Sequence, residues 1–157
     1  MQPKRWHTRE DSGLRLDREL RWWHDGELID HPNIIEAFNR GVRVGDDGRV
    51  TLHFGGDWCF IEVEDAPFRV VAVDVSEGDR LSVRLSDRTA EWLDVNSLGL
   101  DDDGVLSVRV KAGRAKARFG RDAQFQVAQH LELDGDTVQL RVGARLEPTP
   151  LPARAFG

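Results

Sequence analysis

Apolar and polar residues alternate along most of this chain, the period-2 mark of half-buried strands. Val50, Leu52 and Phe54 alternate with Thr51 and His53, and Leu81, Val83 and Leu85 with Ser82 and Arg84. Leu106, Val108 and Val110 alternate with Ser107 and Arg109, and Val138, Leu140 and Val142 with Gln139 and Arg141. Turn signals separate these runs at Asp25-Gly26, Gly45-Asp46-Asp47-Gly48, Glu77-Gly78-Asp79, Asp103-Gly104 and Asp134-Gly135-Asp136. Asp-Gly pairs supply the positive φ that tight hairpins require. The pattern predicts antiparallel meanders joined by short turns. It also predicts one strand from Trp58 to Asp65, with Cys59, Ile61 and Val63 facing the core and Trp58, Phe60, Glu62 and Glu64 on the other face.

Two segments break the alternation and predict short helices. In the first, Asp30 or His31 stands at the N-cap and Pro32 at the first helical position, where its missing N–H costs nothing. Ile34, Ile35 and Phe38 form an apolar stripe, and Gly41 ends the helix. The second runs from about Arg121 to His130, with Ala123, Val127 and Leu131 spaced four apart and Asp122 in the first turn. Strand, Gly turn, strand, helix and strand pair recur in the same order from Trp23 and from Val110, at an offset of 87 or 88 residues. The fold class is therefore α+β: mainly antiparallel β meanders with two short helices and an internal duplication. Residues 1–67 are expected to form an N-terminal half (hairpin, helix, hairpin), residues 68–147 a β-rich C-terminal half with the last helix, and residues 148–157 an extended tail holding three of the six prolines.

A length of 157 residues suits one domain or two small joined halves, and about that size buries enough surface to fold without a metal or disulfide. No apolar run reaches the roughly 18 residues of a membrane span, and the mean hydropathy is -0.48. Cys59 is the single cysteine, which excludes disulfide scaffolds and Cys-based zinc or redox motifs, and the cytoplasm is the expected location. The net charge of -6 argues against general nucleic-acid binding. No phosphate-cradling loop, dinucleotide fingerprint or nucleophile elbow occurs, so no cofactor is expected. The five histidines show no paired helical metal spacing, and no metal site is assigned from the sequence. Asp101-Asp102-Asp103-Gly104 lacks the closing Glu of a calcium loop and reads as a turn.

Charge is distributed unevenly. Between Gly104 and Arg121 stand six basic residues (Arg109, Lys111, Arg114, Lys116, Arg118, Arg121) and no acidic one, leaving -12 on the rest of the chain. Four of the six are Arg, whose planar fork suits carboxylate or phosphate. Two readings stand side by side: an anion site built from Arg114, Lys116, Arg118 and Arg121, or cations docked on Glu62, Glu64 and Asp65. Glu62 and Glu64, roughly 7 Å apart by strand rise, suit acid/base work or a hard metal, or else ion pairs across a sheet. Five Trp and no Tyr are unusual at this length. Adjacent Trp22 and Trp23 must point to opposite faces of their strand, so one lies outside the core of its own half. Whichever of the two lies outside stacks on a ligand or packs one half on the other, and Trp58 and Trp92 carry the same two readings.

The run Ile61-Glu62-Val63-Glu64-Asp65-Ala66-Pro67-Phe68 resembles the signature of the bacterial family known as domain of unknown function 1285. Trp22-Trp23-His24-Asp25-Gly26 with Ile29 and Phe38 is similar to that family's N-terminal hairpin and helix, and Gly113-Arg114-Ala115-Lys116-Ala117-Arg118-Phe119 with Arg121 to its pattern before the last helix. The resemblance spans most of Leu14–Val142 and departs from the pattern at Leu28 and at Gly55-Gly56-Asp57. It implies a duplicated α+β core with a pleckstrin-homology-like C-terminal half, a nucleotide-like ligand at the junction of the halves, and a role in signal transduction.

The expected function is a non-catalytic ligand-sensing or regulatory domain. Arg114, Lys116, Arg118 and Arg121 would hold the anion of a nucleotide-like molecule, with Trp22, Trp23 or Trp58 on its ring and Glu62, Glu64 and Asp65 beside it. The alternative is a protein-interaction module without a small ligand. Third in order comes an enzyme using Glu62, Glu64 and Asp57 as acid/base groups or metal ligands.

Overall fold

Each turn signal read from the sequence is a turn in the computed structural model, which describes residues 7–156. The chain divides into two compact units, Met1–Pro67 and Phe68–Gly157.

The N-terminal unit opens with β1 (Leu14–Leu16), β2 (Trp22–His24) and β3 (Glu27–Leu28). Asp25 and Gly26 link β2 to β3 with φ of 49° and 83°, the doubly positive geometry of a tight two-residue hairpin turn. Helix α1 (Pro32–Gly41) follows, with Pro32 in the first turn and His31 at the N-cap position without a side-chain cap bond. Next come β4 (Val42–Val44), β5 (Val50–Phe54), β6 (Asp57–Phe60) and β7 (Glu62–Val63). Two sheets result, ordered β3-β2-β1-β7 and β4-β5-β6. The core holds Leu16, Trp22, Val42, Leu52 and Ala66. Gly41 closes α1 for a reason other than a left-handed cap. A Cβ there would collide with the backbone carbonyl of His53 on β5, so only glycine lets the helix end lie so close to the strand.

The expected strand from Trp58 to Asp65 is broken at Ile61. Residues 57–60 pair with β5, whereas Glu62 and Val63 pair in parallel with β1 (Arg15↔Glu62, Leu16↔Val63). Alternation along one segment cannot show that its hydrogen-bond partners change midway. In consequence Cys59, Ile61 and Val63 are half-buried rather than core.

The C-terminal unit contains β8 (Phe68–Ser76), β9 (Arg80–Leu85), β10 (Ala90–Trp92), β11 (Gly99–Leu100), β12 (Leu106–Val110) and β13 (Ala115–Phe119). They form one sheet ordered β10-β9-β8-β13-β12-β11. Helix α2 (Arg121–Ala128) buries Ala123 and Val127, and β14 (Leu131–Asp134), β15 (Thr137–Val142) and β16 (Arg145–Thr149) form a separate meander. A register shift between Val70 and Ala72 breaks the alternation of β8, so that Ala72 and Val73 are both buried. The Val73 N–H donates to Gln126 Oε1 of α2 (2.7 Å), and the Leu106 N–H to Gln124 Oε1 (2.9 Å). Those two glutamines tie the helix to the sheet. Pro148 and Thr149 belong to β16, Leu151 is buried and Ala153–Ala155 form a 3-10 turn, which places more structure near the end than an extended tail.

The fold is α+β, antiparallel-rich and consistent with a duplicated core. In each unit a hairpin precedes the helix and a three-stranded meander follows it. The chain Val42↔Leu52↔Cys59 in one meander matches Leu131↔Leu140↔Glu147 in the other, at offsets of 88 or 89. The sheets before the helices differ: β3 is an edge strand, whereas β13 lies inside its sheet between β8 and β12. Among the described residues no helix is long and apolar enough to cross a membrane.

Candidate functional site

A recess of the N-terminal unit lies beside the break at Ile61. The Ile61 N–H donates to Val50 O (3.1 Å), the Glu64 N–H to Leu16 O (3.0 Å) and Ser12 Oγ to Phe60 O (2.6 Å), so the chain is pinned on both sides of the crossing. This cleft has a volume of about 530 Å³, and Ser12, Arg15, Trp23, Arg49, Phe60 and Glu62 are among its lining residues.

Strand alternation decides the two tryptophans. Trp22 is buried, with its indole N–H donating to Asn39 Oδ1 (2.8 Å) and its ring edge-on to Phe38 at 5.2 Å. Trp23 is half-buried on the opposite face and lines the cleft. The Arg15 guanidinium, directly across the ladder, lies 5.1 Å from the Trp23 ring centre, and that of Arg21 lies 5.9 Å away. The Trp23 indole N–H donates to Asp17 Oδ2 (2.8 Å). Asp17 also accepts the Arg21 N–H (2.8 Å) and its Nε–H (2.7 Å). Burial acts to raise the pKa of Asp17, but these donors from Trp23 and Arg21 outweigh it and hold the carboxyl below its usual value. On the other wall, Arg49 lies over the Phe60 ring at 3.4 Å and donates to Glu10 (2.7 Å).

The carboxylates of the signature run take different roles. Glu62 lines the cleft, Glu64 pairs with the Arg15 guanidinium and accepts the Arg18 N–H (3.0 Å), and Asp65 is half-buried after β7. Trp58 lies outside this cleft lining. Its ring stacks on His53 (6.3 Å), meets Phe60 edge-on (5.3 Å) and has the Arg9 guanidinium 4.5 Å above it. Asp57 accepts from the Trp58 N–H and from Arg9, which lowers its pKa.

The basic block belongs to the C-terminal unit. Alternation along β13 places Ala115, Ala117 and Phe119 in the core and Lys116 and Arg118 on the other face. Arg118 is nonetheless only 7% exposed. It donates to Asp101 Oδ2 (2.9 Å) and to Asp103 Oδ2 (3.1 Å), while Lys116 lies 3.4 Å from Asp101. The triple-aspartate turn that leads into β12 is thus an acidic partner of this block, a role the sequence reading missed. Three acidic residues immediately before six basic ones were the available signal. Lys111 donates to the buried Asp87 (2.7 Å), and Arg109 and Arg114 donate to the carbonyls of Gly113 and Lys111 in their own hairpin turn. Arg121 is exposed at the start of α2. Burial acts to raise the pKa of Asp87, but donors from Lys111 and Thr89 prevail and lower it. A second, smaller cleft of about 320 Å³ is lined by Arg80, Trp92 and Arg145, with Arg80 4.1 Å above the exposed Trp92.

Asp17 and Asp87 predict acid sensitivity. Each binds its proton more weakly folded than unfolded, so stability rises with pH across the window between the two values. Their contribution is complete above about pH 4, the ordinary carboxylate value, and drains as pH falls further through the depressed folded values. Urea midpoints measured from pH 6 downward should fall below about pH 4, with a flatter slope in Asp87→Asn. An unchanged slope in that variant would refute the assignment.

One cluster of potential metal ligands, His7, His24 and Asp25, occurs among the described residues.

Two solved structures share this fold. A DUF1285 family protein from Silicibacter pomeroyi DSS-3 superposes with a TM-score of 0.63 at 21% identity, covering 89% of this chain and 78% of that one. A DUF1285 family protein from Shewanella baltica OS155 superposes with a TM-score of 0.55 at 20% identity, covering 75% of this chain and 91% of that one. The resemblance read from the sequence and the likeness in three dimensions thus point to the same family fold. No protein-family model and no curated protein matches the chain.

Proposed function

We propose that this chain is a non-catalytic ligand-binding domain that takes a small anionic molecule with an aromatic ring, in the manner of a nucleotide, and acts as a regulatory unit in signalling. The observation that carries the reading is the cleft at the strand crossing, where the Trp23 ring and the Arg15 and Arg49 guanidiniums line one recess. A planar base stacks on Trp23, a contact worth about 1–3 kcal/mol in single-stranded nucleic-acid sites. Arg15 and Arg49 each hold a carboxylate at present, Glu64 and Glu10, through pairs whose side chains are 31–67% exposed. Such pairs are worth about 0–1 kcal/mol, so a bidentate phosphate or carboxylate exchanges for them at small cost. Arg114 and Arg121 are exposed cations of the C-terminal unit and belong in the same series of variants.

The test is a set of melting curves read by tryptophan fluorescence with nucleotides, cyclic dinucleotides and inositol phosphates. A ligand at 100 times its Kd adds about 2.7 kcal/mol of stability. The expected result is a shift with one class at physiological salt that weakens at least tenfold in Arg49→Ala and Trp23→Leu. A flat panel, or binding indifferent to both variants, overturns the reading.

A protein-interaction module is the second reading, for which Phe125 on α2, 68% exposed, is the contact to test. It predicts a flat ligand panel together with a protein partner whose cross-linking is lost in Phe125→Ser.

A further inference from the structure

We propose that His7, His24 and Asp25 form a binding site for one divalent d-block cation, of which zinc is the type. His7 stands 17 residues before the adjacent pair His24-Asp25, a spacing that shows no metal motif, yet the three ligand atoms all lie within 4.8 Å of one another. His7 Nε2 is 2.9 Å from Asp25 Oδ2, and His24 Nε2 is 3.7 Å from the same oxygen. Two ligands of a tetrahedral zinc ion, each about 2.0–2.1 Å from the metal, stand about 3.3 Å apart, which lies between those two distances. Two imidazoles and one carboxylate suit zinc, and three protein ligands leave a position for water.

The surrounding backbone builds the cluster. The β2–β3 turn puts Asp25 at a φ of 49° beside His24, the last residue of β2, and the Asp25 N–H is held by Gly13 O (2.9 Å). Gly13, at a φ of 74°, lies where any Cβ would collide with Asp25 Oδ1 and crowd the His7 ring. His7 Nδ1 lies 3.3 Å from the Asp11 carbonyl. A ring donating there turns its Nε2 lone pair toward Asp25, the second-sphere arrangement of a metal-bound histidine. In that tautomer Nε2 presents its lone pair on the side of Asp25 Oδ2, where one cation can be held by both. All three side chains are reached by solvent, so the ion has a way in.

A consequence follows for the cleft, on the reading given under Proposed function. Asp25 lines it together with Glu10, Asp11 and Glu62, against Arg15 and Arg49, for a formal charge of -2. One divalent ion at Asp25 offsets that excess and favours an anionic ligand.

The test titrates the full chain with Zn²⁺ against a chromophoric chelator, and with Co²⁺ read by its visible d–d bands. One ion per chain is expected, with affinity falling at least tenfold in His7→Gln, His24→Ala and Asp25→Asn and unchanged in His53→Ala and His130→Ala. Asn accepts the positive φ of the turn, so Asp25→Asn keeps the hairpin, and urea melts of the metal-free variants confirm folding. Absence of a stoichiometric ion, or binding that survives both His24→Ala and Asp25→Asn, overturns the site. Neither outcome depends on a nucleotide-like ligand being found, so the metal site and the ligand reading fail separately.

Discussion

Replacing Arg118 with alanine should lower the unfolding free energy of the C-terminal unit by about 3–5 kcal/mol, the cost of breaking a buried ion pair from one side. The arginine side chain is 9% exposed and that of Asp101 15%. Removing the guanidinium takes an ion-pair partner from the largely buried Asp101, which keeps Lys116 at 3.4 Å, whereas Asp103, 47% exposed, stays open to solvent. Urea melts of the wild type, Arg118→Ala and Arg118→Met measure the effect. Methionine restores volume without charge, so it should recover packing but not the ion pair with Asp101. A loss below about 1 kcal/mol in Arg118→Ala would place this pair with ordinary surface salt bridges and refute its structural weight. The result also bears on any ligand study. Lost binding in Arg118→Ala has two causes, whereas Arg121→Ala, at an exposed position, separates recognition from folding.

Trp22→Ala should destabilise the N-terminal unit by a similar amount, about 3–5 kcal/mol, through lost burial and the cavity left behind. Trp22 is 1% exposed, packs edge-on against Phe38 and holds Asn39 of α1 through its indole N–H. Truncation therefore removes core volume and strands the Asn39 amide together. Its neighbour provides the control. Trp23 is half-buried and faces the cleft, so Trp23→Leu should cost much less stability while weakening ligand binding. Chemical denaturation of the two variants side by side decides the matter. Equal losses would show that both rings are core and would remove Trp23 as a stacking surface.

The sequence already distinguished the faces of these two residues, because adjacent side chains on a strand must point opposite ways. Which face was the core depended on what lay across the ladder, namely Arg15 against Trp23 and Leu16 against Trp22. The same division holds elsewhere. Alternation in β5, β9, β12 and β15, the Asp-Gly turns and Pro32 at the start of α1 are local facts, set by residues within a few positions of one another, and they were legible. The repeat of helix and meander was legible for the same reason, since both copies carry the same local signals.

What the sequence determined by itself is therefore the strands with regular alternation, the Asp-Gly turns, the two helices, the α+β class and the recurrence of one motif about 88 residues on. The tertiary structure alone decided the break at Ile61, the bulge in β8, the pairing of Arg118 with Asp101 and Asp103, and the meeting of His7 with His24 and Asp25. Each of these depends on register between segments some twelve or more residues apart. Period-2 patterning constrains which face a side chain takes, but not which strand lies beside it or how far along that strand it sits. The candidate cleft and the metal cluster both arise from such registers, which is why Trp23, Glu62 and the histidines were visible singly in the sequence, while their associations and the part taken by Arg15 and Arg49 were not.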